Sequence, residues 1–128
     1  MIYLDTSVLL AQILSADRTP PEWLWDEPLI SSRLLEYEIW NQIHARKLSV
    51  SHQEPVRLLL GRVAFLELAP PVLERALEPF PMRVRTLDAL HLASMDFLRR
   101  HGQQFKLASY DDRLAAAARR LGIPVADL

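Results

Sequence analysis

A chain of 128 residues is long enough for one domain and too short for two of ordinary size. It contains no cysteine, which excludes thiol nucleophiles, zinc knuckles, iron–sulfur ligation and disulfides, and suits a reducing compartment such as the cytoplasm. Its three glycines (Gly61, Gly102, Gly122) fit no phosphate-cradling glycine motif, and 15 basic against 16 acidic residues, net −1, give no long-range pull on a polyanion.

Residues 1–4 are apolar with β-branched and aromatic character and read as a first strand; Val8, Leu9, Leu10, Ile13 and Leu14 then follow a helical period. Thr6 and Ser7 stand at the junction, where hydroxyls can cap the first N–H groups of a helix. Residues 15–28, with Pro20, Pro21 and Pro28, read as a loop holding one helical turn; it carries Trp23 and Trp25, suited to packing or to a partner's surface. Residues 29–31 make a short second strand. A strong helix begins at Ser32 and runs through Leu35, Ile39 and Ile43 to Arg46 and Lys47, whose charge suits its end. Ser51, with Glu54 three residues on, has the form of a capping box for a helix reaching about Val63, with Pro55 in its first turn.

Residues 64–68 form a third strand, and Pro70 and Pro71 open a helix that ends near Pro79. Residues 86–101 make a long helix closed by Gly102, residues 105–109 a strand, and residues 111–121 a last helix closed by Gly122. Residues 125–128 add an edge strand. Strands alternating with helices at this spacing predict an α/β fold with a parallel sheet covered on both faces. No apolar run approaches the roughly 18 residues of a membrane span, so no membrane partner is expected.

Four carboxylates stand out against this pattern. Asp5 interrupts a core-like stretch at the carboxyl end of the first strand, and Asp111 holds the equivalent place after residues 105–109. Ligands of open α/β sheets bind at that edge. Asp88 lies in a helix apolar on nearly every side, where an unpartnered charge costs several kcal/mol, so a cation should meet it. Glu38 sits among Leu34, Leu35, Ile39 and Trp40. Each has a local reading: Asp5 and Asp111 as helix N-caps, Asp88 as a first-turn charge favoured by the dipole, Glu38 as an in-helix partner of Gln42. If the four converge, two carboxylates 4 Å apart repel by about 4 kcal/mol at an effective dielectric near 20, and a divalent cation resolves the cluster. All-oxygen ligation selects Mg²⁺ or Mn²⁺, ions suited to phosphodiester hydrolysis.

Ile2-Tyr3-Leu4-Asp5-Thr6-Ser7, Glu38 in its helix, Thr86-Leu87-Asp88-Ala89-Leu90-His91-Leu92-Ala93 and Ser109-Tyr110-Asp111-Asp112-Arg113-Leu114 resemble, in order, the four acidic motifs of PIN-domain ribonucleases of the VapC toxin type. The resemblance implies a PIN-like (Rossmann-like) three-layer sandwich with a central, mostly parallel sheet, one PIN domain over residues 1–128. It further implies a Mg²⁺- or Mn²⁺-dependent endoribonuclease acting as a homodimer and neutralised by a VapB-type antitoxin. Asp5, Glu38, Asp88 and Asp111 would be the catalytic and metal-binding acids, with Thr6 and Ser109 supporting them. Glu36 is the alternative to Glu38; Asn41 stands where many relatives carry Arg.

Asp112 reads as a solvated first-turn charge, His91 as a satisfied helix histidine, and His44, His52 and His101 as surface groups. Arg33, Arg46 and Lys47 face either solvent or RNA phosphates. A PIN scaffold without catalysis is the alternative from another class, and clustered acids argue against it. An aspartate-based phosphatase would want a second Asp two residues after Asp5, where Ser7 stands.

Overall fold

The computed structural model describes residues 1–15 and 17–128; residue 16, inside the expected 15–28 loop, lies outside the described residues. Four strands form one sheet: β1 (Ile2–Leu4), β2 (Leu29–Ser32), β3 (Val63–Leu66) and β4 (Lys106–Ala108). Six helices follow them: α1 (Thr6–Leu14), α2 (Leu34–Ala45), α3 (Gln53–Leu60), α4 (Pro70–Leu77), α5 (Thr86–Arg100) and α6 (Asp112–Arg120). The Trp23 and Trp25 turn is a 3-10 helix, Glu22–Asp26. No described helix is long and apolar enough to cross a membrane.

The sheet order is β3-β2-β1-β4 and every pairing is parallel. The connections leave β1 on one side toward β2 and β3, then return across it to β4. That reversal opens a crevice beyond the carboxyl end of β1, the place where such sheets bind ligands. The expected edge strand is reduced to a single bridge, Val125 beside Leu107.

Alternation along these short strands divides the core in two. Ile2, Leu4 and Ala108 face the side packed by α1, α2 and α3 through Leu9, Leu35, Ile39, Ile43 and Val56. Tyr3 and Leu107 face the other side, against Leu92, Met95 and Leu98 of α5 and Leu114, Ala117 and Ala118 of α6. With both faces covered, β1 reads as an apolar run, because parallel strands buried on both sides have no polar face. The α5 and α6 helices stop where expected: Gly102 and Gly122 take φ of +82° and +79°, a left-handed backbone that side-chain-bearing residues avoid.

Two capping expectations are overturned. The Ser51 hydroxyl donates to the Leu48 carbonyl and meets His52 Nδ1, so α3 begins at Gln53 without a side-chain cap. Thr6 and Ser7 do not cap α1 either; their hydroxyls are drawn to carboxylates.

Leu107 is fully buried between the β1–β4 pairing and the α5–α6 layer. Leu107→Ala should cost about 2–5 kcal/mol of unfolding free energy, read as a lower urea midpoint with an unchanged m-value.

Candidate active site

The crevice beyond β1 gathers the acidic residues. Asp5 leaves the sheet at the end of β1, its amide still bonded to the Ala108 carbonyl at 3.0 Å. It holds the N-cap position of α1, yet its side chain accepts no helix N–H, so the capping reading fails. Its Oδ2 instead accepts the hydroxyls of Ser7 at 2.6 Å and Ser109 at 2.8 Å. Ser109 ties the second strand end to the first, because its oxygen also accepts the Asp111 amide at 2.9 Å. Ser7 makes a parallel link by accepting the Tyr110 amide at 2.9 Å.

Asp111 does serve as a cap: its Oδ1 accepts the amides of Arg113 at 3.0 Å and Leu114 at 3.2 Å. That role occupies one oxygen and fixes where the other lies. Glu38 comes in on α2, and its Oε1 accepts Thr6 Oγ1 at 3.0 Å and His91 Nε2 at 2.6 Å. The expected in-helix bond to Gln42 is absent among the described residues, Gln42 being taken by Arg46. Glu36, the alternative acid, is paired with Arg33 at 2.8 Å.

His91 is buried, and its satisfied state depends on the acids. Burial by itself would lower its proton affinity, but the bond to Glu38 and the charges of Glu38, Asp5 and Asp88 prevail and hold it above the usual imidazole range. With Nε2 donating to Glu38, Nδ1 of the neutral ring accepts the Tyr3 hydroxyl at 2.8 Å. Tyr3 also accepts the Ser32 amide at 3.3 Å, and its burial pushes the phenol well above its ordinary range. A chain of bonds thus runs from the sheet interior through Tyr3 and His91 to Glu38 and Thr6.

Asp88, in the first turn of α5, has no ion pair among the described residues, so no side chain supplies the cation expected beside it. Its proton affinity is raised, first by desolvation and then by the charges of Asp111 and Asp5; His91 and Arg85 offset this only in part. These mutual effects place Asp5, Asp88 and Asp111 within electrostatic reach of one another. Asp112 is exposed, as a first-turn charge should be.

Each carboxylate therefore keeps at least one oxygen without a protein donor among the described residues: Oδ1 of Asp5, Oε2 of Glu38, Oδ2 of Asp111 and both oxygens of Asp88. In Asp5, Glu38 and Asp111 one oxygen is oriented by a neighbour and the other is left open, the division seen where outer partners orient metal ligands. The donors are all oxygen, which fits a hard divalent cation. No three His, Asp or Glu side chains among the described residues are drawn together at chelating distance.

The PIN domain family profile matches residues 2–120, spanning all four acids and the sheet that holds them. The chain belongs to the PIN domain family. It is similar to Ribonuclease VapC47 of Mycobacterium tuberculosis, 32% identical over 133 residues that cover 98% of this chain and 96% of that protein. It is also similar to Ribonuclease VapC46 of the same organism, 30% identical over 128 residues, covering 97% and 95%.

Within this PIN domain two polar pairings have a signal in the sequence that periodicity alone does not show. A tyrosine on a strand buried on both faces needs a hydroxyl partner, and His91 on a facing helix supplies it. Ser7, two residues beyond Asp5, signals a local bond to that carboxylate as much as a cap. Of the basic residues singled out earlier, Arg33 and Arg46 are otherwise engaged, whereas Lys47 makes no side-chain bond among the described residues. Arg33 is bound to Glu36 and Glu67 and lies over Phe65, and Arg46 is bound to Gln42. Trp25 packs on the core and Trp23 is 43% exposed, beside a cleft at the opposite end of the sheet from the acids.

A carboxylate whose folded-state proton affinity is raised subtracts stability above its folded pKa and subtracts none at low pH, where it is protonated in both states. The dipole of α5 favours the Asp88 charge, but desolvation and like charges outweigh it. Asp88→Asn should therefore raise the metal-free melting temperature at pH 7 by roughly 1–4 °C, with the difference vanishing toward pH 3. Differential scanning calorimetry in EDTA at both pH values checks it.

Proposed function

We propose that this chain is a VapC-type endoribonuclease, a toxin that hydrolyses RNA phosphodiester bonds with a divalent cation, Mg²⁺ or Mn²⁺, and is neutralised by a VapB-type antitoxin. The observation that supports the reading is the set of four acids at the reversal point of the sheet, three with one oxygen fixed and one left open and the fourth, Asp88, with both oxygens open. The similarity to two proteins named as ribonucleases supports it. The proposal takes the whole chain as a single PIN domain working in the cytoplasm as a homodimer.

Asp5, Glu38, Asp88 and Asp111 would hold the cation. Bound there, it would acidify a water and offset the charge that builds on the phosphate in the transition state. The residues of the chain prepare for that. Ser7 and Ser109 set the plane of the Asp5 carboxylate, Thr6 and His91 set that of Glu38, and the α6 amides set that of Asp111. Asp88 has the least compensation of the four acids and gains most from a cation. A scaffold acting only through a partner has no need of carboxylates oriented by two serines, a threonine and a buried histidine, since such burial costs stability.

Asp5→Asn and Asp88→Asn should each lower Mg²⁺-dependent RNA cleavage by more than about 100-fold, because outer partners of a metal site alone are worth about 10–100-fold. Gel analysis of a structured RNA with each purified variant reads this, and full cleavage by both variants would refute the assignment. In a separate measurement, Mn²⁺ at ten times its dissociation constant should stabilise the wild-type chain by about 1.4 kcal/mol. EDTA should reverse the shift and Asp88→Asn should lose most of it. An unchanged melting temperature at saturating metal speaks against the site.

A further inference from the structure

A second feature adjoins the acids. Between the segment 82–85, the start of α5 and the outer face of α6 lies a cavity of about 570 Å³, with Asp88 in its wall. Four arginines line it: Arg83, Arg85, Arg113 and Arg120. All four are exposed, and none makes an ion pair or a side-chain hydrogen bond among the described residues.

That grouping is not a general property of this chain. Of its thirteen arginines, seven are held by an acid, a carbonyl or an amide: Arg18, Arg33, Arg46, Arg62, Arg75, Arg99 and Arg100. Among the described residues that leaves six, and four of the six converge on one cavity beside one member of the acidic site. Four guanidiniums around a single recess repel one another, and Asp88 is the one acid in its lining. The recess therefore carries local positive charge in a chain whose net charge is −1. Arg113 and Arg120 lie seven residues apart on α6, two turns along one face, with Ala116 and Ala117 between them leaving the floor low. Met82 and Val84 add apolar wall.

We propose that this groove holds the backbone of single-stranded RNA next to the phosphate being cut, so that the strand leaves the acids between α5 and α6. Guanidinium forks match phosphate oxygens two at a time, and the low apolar floor accepts a ribose or base without selecting its identity. A recess of this size suits nucleotide-sized groups, whereas an acidic protein surface would not need one. Position favours RNA as well, since any strand threaded past Asp88 on this side meets these four arginines. The identity of the strand rests on the ribonuclease reading; the presence of an anion groove does not.

The test is metal-free binding, measured by fluorescence anisotropy with a labelled single-stranded RNA in EDTA over a range of salt. Wild type should bind with a negative slope of log affinity against log salt. Arg113→Gln with Arg120→Gln should weaken binding and reduce that slope by about 1.4, at about 0.7 per phosphate contact on a single strand. The pair Arg57→Gln with Arg119→Gln removes the same charge from arginines outside the groove, and should leave affinity and slope near wild type. Equal losses in the two double variants, no loss in the first, or no metal-free binding at low salt would overturn the proposal. So would competition by polyglutamate as strong as that by RNA of equal charge. Groove-dependent binding in a chain that cuts no RNA would sink the nuclease reading and keep the anion groove alone; cleavage with RNA affinity indifferent to Arg113 and Arg120 would sink the groove and keep the nuclease.

Discussion

The structure is organised around carboxylates that need hydrogen-bond donors at the mouth of a buried sheet. Asp5 is only 7% exposed, and a polar group so removed from water is costly without partners. No arginine or lysine among the described residues forms an ion pair with it. Neutral hydroxyls from Ser7 and Ser109 bear the load instead. A permanent cation at contact would have satisfied the charge and closed the site, whereas hydroxyls satisfy one oxygen and leave the other free.

Glu38 is treated in the same manner with one difference. Its donors are Thr6 and a buried histidine, and the histidine is in turn held from behind by Tyr3 on the central strand. The line from Tyr3 to Glu38 joins the rigid interior of the sheet to an acid on α2, so packing in the second core sets the position of a group on the other side. Tyr3, Leu107 and the α5–α6 layer are accordingly part of the site's support as well as of the core.

Charge is divided across the molecule by pairing. Arg33 and Arg75 are locked to acids and aromatic faces, which removes them from contact with an outside anion. Four of the six arginines left without partners among the described residues collect beside Asp88, on α6 and the segment before α5. A net charge near zero therefore conceals neighbouring acidic and basic regions, which is the arrangement that a cation-assisted reaction on a polyanion requires.

The alternation of elements, the apolar first strand, the glycines that end α5 and α6 and the four acids were legible in the sequence, because each rests on short-range rules: periodicity, left-handed backbone, and a charge out of place among apolar neighbours. The order of the motifs was enough to suggest the PIN family. What the sequence could not decide was which polar group answers which. Ser7 and Thr6 were equally able to cap α1, Asp5 and Asp111 were equally able to act as caps, and Arg33 was as able to face a phosphate as to pair with Glu36 and Glu67. Those choices depend on residues as far apart as Glu38 and His91, or Asp5 and Ser109, being brought together by the reversal of the sheet at β1. A hydrogen bond depends on distance and direction in space, and only the folded chain sets these for groups separated by 53 or 104 residues.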